Sequence, residues 1–242
     1  MIARADLDRI VEAYPASPCV AAVGSHSALD IAEGAAAEGF RTLVLAESGR
    51  DAPYARYFRS IRDASGRRVR GCVDETWTYP KFAEIPAPAS QARLREAGAL
   101  LVPNRALSSY VSLEAIEGGL EVPIVGSRSM LRIEERTERE NYYTLLKAAG
   151  IPAPAAIASP SEIDGLVIVK LPHATKRLER GFFTAASPKE FETKRAALLA
   201  RREITEADLA HARIERYVLG PVFNFNFFFS PLVPRSDGLE LL

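Results

Sequence analysis

Apolar positions in the first fifty residues follow two rhythms in turn. Leu7, Ile10, Val11 and Tyr14 recur at helical spacing over 5–14, and Pro15 closes that pattern. The apolar stretch in P-C-V-A-A-V-G-S is continuous, as a parallel strand buried on both faces requires. S-A-L-D-I-A-E-G-A-A-A-E-G-F returns to the helical rhythm and ends near Gly39, a residue suited to closing a helix. R-T-L-V-L-A-E-S is a second continuous run. Helix, strand, helix, strand is the spelling of a βαβ unit. Residues 49–63 are polar and aromatic and predict partial helix. R-V-R-G-C-V-D-E-T-W reads as a third strand, Q-A-R-L-R-E-A-G-A as a helix and A-L-L-V-P-N as a strand. S-Y-V-S-L-E-A-I-E-G-G then reads as a helix and E-V-P-I-V-G-S as a strand. This alternation predicts a doubly wound, Rossmann-like α/β sheet.

The texture then changes. R-S-M-L-R-I-E-E-R-T-E-R-E-N-Y-Y-T-L-L-K-A-A-G-I is long, charged and helical, and ends at Gly150. A Pro-rich connector follows, then D-G-L-V-I-V-K-L-P-H-A as a strand with one lysine, the basic loop T-K-R-L-E-R-G, and F-F-T-A as a second strand. In S-P-K-E-F-E-T-K-R-A-A-L-L-A-R-R, Ser187 suits an N-cap and Pro188 the first helical position. I-E-R-Y-V-L-G and V-F-N-F-N-F-F-F-S-P-L predict two strands joined by Gly220-Pro221. The change falls near Gly126–Ile133, which predicts domains over 1–126 and 127–242.

Charge narrows the function classes. Lys and Arg total 31, as do Asp and Glu, so bulk electrostatics gives no case for nucleic acid or a membrane surface. No apolar run is long enough to cross a bilayer, and the charged N-terminus is not a signal peptide. A cytoplasmic protein is the expectation. Cys19 and Cys72 sit in apolar runs, where buried free thiols are expected before a disulfide or a metal pair.

Four segments hold candidate chemistry. In an open α/β sheet ligands bind at the carboxyl ends of strands. Ser25, His26 and Ser27 fall there, at a helix N-terminus that favours an anion. Either they contact a ligand, or Ser27 caps the helix with Asp30 reaching back. Strand alternation sends Lys170 with Ile168 to one face, and Val167, Val169 and Leu171 to the other. Such a lysine snorkels to water or meets a fixed anion. The T-K-R-L-E-R-G loop is a solvated basic turn or a mobile lid over phosphates. In F-N-F-N-F-F-F, Asn224 and Asn226 share a face and either pair at a sheet edge or line a polar site. Glu215 is a surface carboxylate or a ligand for adenine or ribose. His173 and His211 lack metal-ligand spacing, and no P-loop, G-x-G-x-x-G or serine-hydrolase elbow is present.

G-S-H-S-A-L-D, V-P-I-V-G-S-R-S-M-L-R-I-E-E-R, R-L-E-R-G-F-F and F-N-F-N-F-F-F-S-P-L, in that order, resemble one family across the whole chain. It is the archaeal formate-dependent synthetase of 5-formaminoimidazole-4-carboxamide ribonucleotide (FAICAR), a member of the ATP-grasp superfamily. The resemblance implies a pre-ATP-grasp α/β domain followed by an incomplete ATP-grasp α+β domain. It implies a ligase of purine (IMP) biosynthesis. ATP would phosphorylate formate to formyl phosphate, and the amine of the imidazole carboxamide ribonucleotide (AICAR) would then attack it. The expected small molecules are ATP, formate and AICAR, with magnesium or manganese beside the ATP. On this resemblance His26, with Ser25 and Ser27, contacts AICAR. Lys170 faces ATP phosphates, Arg180 and Gly181 belong to the lid, and Glu215, Arg216, Tyr217 and Val218 surround adenine. Asn224 and Asn226 join the ATP side.

The sequence departs from the family at three places. Where the family reads P-H-G-S-F, with a serine on the ribonucleotide, this chain reads Pro103-Asn104-Arg105-Ala106-Leu107, so Ala106 stands at the contact position. Arg216 stands where the family hinge has a second acid. Family members continue after E-L-L into a segment carrying the metal ligands. The resemblance therefore implies that this chain alone is inactive, that the L-E-L-L strand lacks neighbours, that the missing half completes the site, and that the partner is a further copy in a homo-oligomer (trimer or hexamer) or a second half-chain. The other reading is a non-catalytic paralog that binds nucleotide or partners an active homologue.

Overall fold

The structure is a computed structural model and describes residues 2–134, 139–171, 181–223, 227–229 and 239–241. The chain divides into two compact units, Met1–Tyr142 and Tyr143–Leu242.

The first unit is built on β1 (Cys19–Val23), β2 (Arg41–Glu47), β5 (Glu75–Tyr79) and β6 (Ala99–Leu101), all parallel, in the order β5-β2-β1-β6. The continuous apolar runs are explained by two-sided burial. Cys19, Ala21 and Val23 of β1, with Leu43 and Leu45 of β2, face the larger core, which also holds Trp77, Leu94 and Ile116. Ala22, Val44 and Ala46 face the other way, against α2 (Ala28–Ala37) and Tyr54. Alanines on that face let α2 approach closely. Each fully buried leucine here contributes about 1.5–3 kcal/mol. The helices α1 (Arg4–Glu12), α3 (Pro88–Glu96), α4 (Arg105–Tyr110) and α5 (Leu113–Gly118) complete the unit. Cys19 and Cys72 are both buried free thiols, and burial pushes each up to about 11.

Several elements differ from the sequence expectation. The predicted third strand breaks at Gly71, which has φ +71° and where a Cβ would lie 2.2 Å from the Arg59 carbonyl oxygen. Before the break, β4 (Arg68–Arg70) pairs with β3 (Ile61–Arg62) as a separate hairpin, and only β5 joins the sheet. The predicted helix over 109–119 begins at Leu113, because Ser112 caps it, and a separate α4 precedes it. E-V-P-I-V-G-S makes only an isolated bridge, Leu101 to Ile124. The long helix over 128–151 is instead a 3-10 segment, Arg128–Glu134, and a short α6 (Tyr142–Ala148). The residues after Gly126 stay with the first unit. Arg128 donates to the carbonyls of Ile116, Leu120 and Val122, and Arg132 pairs with Glu114 and Glu117.

The second unit has an antiparallel sheet in the order β7-β10-β8-β9, from β7 (Ala156–Ile157), β8 (Val167–Lys170), β9 (Phe182–Ala185) and β10 (Arg213–Arg216). Val167, Val169 and Leu171 are fully buried on the face covered by Phe191 and Leu198 of α7 (Pro188–Ala200), as the strand alternation predicts. Ser187 accepts from the Glu190 N–H and caps α7, with Pro188 in the first turn. An unforeseen α8 (Glu206–Ala210) is closed by a reciprocal Thr205–Asp208 capping box. Finally, β11 (Phe227–Phe229) pairs antiparallel with β12 (Leu239–Leu241), so the L-E-L-L strand does have a neighbour.

Candidate functional site

In the order β5-β2-β1-β6 the chain builds outward from β1 in one direction, then returns to place β6 on its other side. The switch point therefore lies between β1 and β6, and the loops at their carboxyl ends flank the crevice where such sheets bind ligands. The loop after β1 is Gly24-Ser25-His26-Ser27. Gly24 donates to the Leu45 carbonyl at 2.7 Å, and a Cβ there would lie 2.9 Å from the Tyr54 ring and 3.1 Å from that carbonyl oxygen. Glycine is what lets the chain leave the sheet against β2. His26 is exposed between half-buried Ser25 and Ser27.

The capping reading of this turn does not hold. Ser27 occupies the N-cap position of α2, yet no side chain caps that helix. Its ψ of 7° is outside the extended region from which a cap hydroxyl reaches back to the first turn. The Ser27 hydroxyl instead meets His26 Nδ1 at 3.1 Å. The first turn of α2 thus keeps its positive end without a side-chain acceptor, beside a histidine and two hydroxyls.

At the carboxyl end of β6, Asn104 caps α4 by accepting from Leu107 N–H at 3.3 Å, and its side-chain amide donates to the Val23 carbonyl at 2.7 Å. Sequence reasoning passed over this residue as a binding-loop component, although an Asn just before a helical run is a cap signal. Ala106 is buried in the core with Leu107 and Val111. Ser108 bonds the Arg105 carbonyl of its own helix, and Arg105 is exposed. The string V-G-S-x-S recurs at 125–129, after the segment that bridges β6.

In the second unit Lys170 and Glu215 come together on the sheet face opposite α7. Glu215 is fully buried and ion-pairs with Lys170. Arg213 Nε donates to it at 2.9 Å and the Tyr143 hydroxyl at 3.1 Å. Lys170 Nζ also donates to the Tyr143 hydroxyl at 3.2 Å, and the Arg213 guanidinium stacks 3.9 Å over the Tyr143 ring. Burial alone would raise the Glu215 carboxyl, but hydrogen bonds from Lys170 and Arg213 more than offset it and hold it below its ordinary value. Glu215 is therefore not a surface carboxylate, and the fixed anion that Lys170 meets is Glu215. Among the described residues two cations share this one carboxylate, which leaves the cluster with an excess of positive charge. Beside it lies a cavity of about 400 Å³ lined by Tyr143, Thr144, Lys147, Ile151, Ala153 and Arg213.

The other candidates do not join this cluster. Arg216 leaves the sheet on the α7 face and pairs with Asp164. Tyr217 and Val218 lie exposed past the end of β10. Gly181 turns the chain with φ +63°, and its carbonyl accepts from Leu171 N–H at 2.9 Å. Arg180, Asn224, Asn226 and His173 lie outside the described residues. Among the described residues no three His, Cys, Asp or Glu side chains gather as a metal set, and no helix is long and apolar enough to cross a membrane.

A parallel sheet with a switch point between β1 and β6 and a separate antiparallel sheet define a mixed α/β protein. The same fold occurs in an IMP biosynthesis protein PurP from Thermococcus kodakaraensis, with TM-score 0.56 and 21% identity over 92% of this chain and 57% of that one. The chain belongs to the family described as protein of unknown function DUF1246, whose match covers residues 20–157. Residues 190–242 match the domain of unknown function DUF1297. Among curated relatives, the 5-formaminoimidazole-4-carboxamide-1-(beta)-D-ribofuranosyl 5'-monophosphate synthetase of Methanopyrus kandleri is 38% identical over all of this chain. That of Methanocaldococcus jannaschii is 36% identical, and this chain spans 62% of the length of each. These relatives bear out the resemblance read from the motifs.

Proposed function

We propose that this chain forms part of an ATP-grasp ligase that joins formate to the amine of AICAR, giving FAICAR, ADP and phosphate. The observation that carries this reading is the 38% identity over the entire chain to a curated synthetase of that name. The geometry supports it at two places. In the first unit, Ser25, His26 and Ser27 surround an α-helix end free of side-chain caps. Hydroxyl and imidazole donors beside such an end suit the phosphate and carboxamide groups of a ribonucleotide. In the second unit, Lys170 and Arg213 are held in place by Glu215 with positive charge to spare, beside a cavity lined by Lys147. Cations fixed in advance are what stabilise a transferring phosphoryl group.

In the reaction ATP would phosphorylate formate, the AICAR amine would attack the formyl carbon, and the carbon–oxygen bond to phosphate would break. On this reading His26 and its serines orient the ribonucleotide. Lys170, Arg180 and Gly181 serve the nucleotide phosphates, and Glu215, Tyr217, Val218, Asn224 and Asn226 its surroundings. Arg216 is engaged with Asp164 and Ala106 is in the core, so neither is given a ligand here. A divalent metal would supply charge neutralisation at the phosphates; no described residue is assigned to it.

The test is turnover. The chain, assayed together with the C-terminal part that its longer relatives carry, should form FAICAR only when ATP, formate and AICAR are all present. Lys170→Met should lower kcat by about 100-fold or more, as loss of a phosphate-stabilising cation does. FAICAR formed without ATP or without formate, or no FAICAR from the assembled protein supplied with all three, contradicts the proposal.

A further inference from the structure

The β1–β6 ladder stops in an instructive way. Cys19 N–H donates to the Gly98 carbonyl at 2.9 Å, and Val102 N–H to the Ala21 carbonyl at 2.8 Å. Continued in the same parallel register, the next rung would run from Asn104 N–H to the Val23 carbonyl. Pro103 intervenes and the chain turns into α4. The Val23 carbonyl is instead taken by the Asn104 side-chain amide, at 2.7 Å. One side chain thus fills the rung that the backbone gives up, at the point where the two strands part. Val23 is the last residue of β1, immediately before Gly24-Ser25-His26-Ser27.

Resting on the ribonucleotide reading of that turn, we propose that Asn104 is a positioning residue for it. Its amide fixes the end of β1, and so fixes where Ser25, His26 and Ser27 present their donors. Its oxygen, bonded to Leu107 N–H, fixes the amide in turn by anchoring it to α4. Capping alone does not require asparagine, since aspartate or serine caps as well. Among side chains this short, only a primary amide accepts at one atom and donates at the other. An aspartate would keep the cap but set a carboxylate oxygen against the Val23 carbonyl oxygen.

The experiment compares the wild type with Asn104→Asp and Asn104→Ala in the full chain. AICAR and ATP affinities are measured by calorimetry, the Gly24–Ser27 amides by NMR, and thermal midpoints alongside. A positioning role predicts that Asn104→Asp weakens AICAR binding about tenfold or more. It should do so at least as severely as Asn104→Ala, move the Gly24–Ser27 amide resonances, and leave ATP affinity unchanged. A purely capping role predicts the reverse order, with Asp near wild type and Ala impaired, and would overturn the proposal. Wild-type AICAR affinity in Asn104→Asp overturns it whatever the amides do. If the wild type itself does not bind AICAR, the ribonucleotide reading fails and the amides decide about Asn104. Displacement of Gly24–Ser27 in Asn104→Asp then supports control of the turn, and unmoved resonances refute it.

Discussion

Glu215 shows how much one residue's surroundings decide. It is fully buried, and its charge is tolerated because Lys170, Arg213 and Tyr143 all reach it. Glu215→Ala would leave two cations without their counter-charge and should destabilise the second unit by about 3–5 kcal/mol, measured by urea titration. Because the folded carboxyl lies below its ordinary value, its contribution is fully present above the unfolded-state pKa. That contribution is lost as pH falls through the lowered folded value. Melting of the second unit should hold steady from neutral pH down to about 5, then drop in acid. Glu215→Gln should flatten that acid drop. The sequence conveyed which face Lys170 occupies, because period-two alternation is local. It did not convey what Lys170 meets, because Tyr143 is 72 residues from Glu215 and joins it only through the tertiary fold.

Helix ends supply a matched pair of predictions. Ser27 and Ser187 look alike in sequence, each just before a helical run. The Ser187 hydroxyl accepts from the Glu190 N–H, whereas Ser27 turns to His26. Ser187→Ala should therefore cost about 1 kcal/mol of stability, while Ser27→Ala should stay within about 0.5 kcal/mol, by urea titration. The same contrast marks what is legible among elements. Long continuous runs such as β1 and β2, and the proline-and-serine start of α7, were read correctly from local pattern. The third strand was misread because its break depends on a close approach of Gly71 to the Arg59 carbonyl, which no local pattern encodes. The segment after Gly126 has a helical rhythm, but Arg128 and Arg132 are spent on α5 and the turn after it, and among the described residues the next helix is Tyr142–Ala148.

At the scale of the molecule, the strand order gives the G-S-H-S turn its place. Sequence placed the G-S-H-S turn at a strand end; only the order β5-β2-β1-β6 makes that end the switch point. The relatives named as FAICAR synthetases supply the ligand for that reading, and the chain spans 62% of their length. The central claim is therefore that the His26 turn binds the ribonucleotide, and a calorimetric titration of AICAR into this chain tests it most directly. The account predicts saturable one-to-one binding that His26→Ala weakens about tenfold, as loss of one hydrogen bond to a ligand does, with no change in thermal midpoint. Absence of saturable binding, or an affinity that His26→Ala leaves untouched, would contradict it.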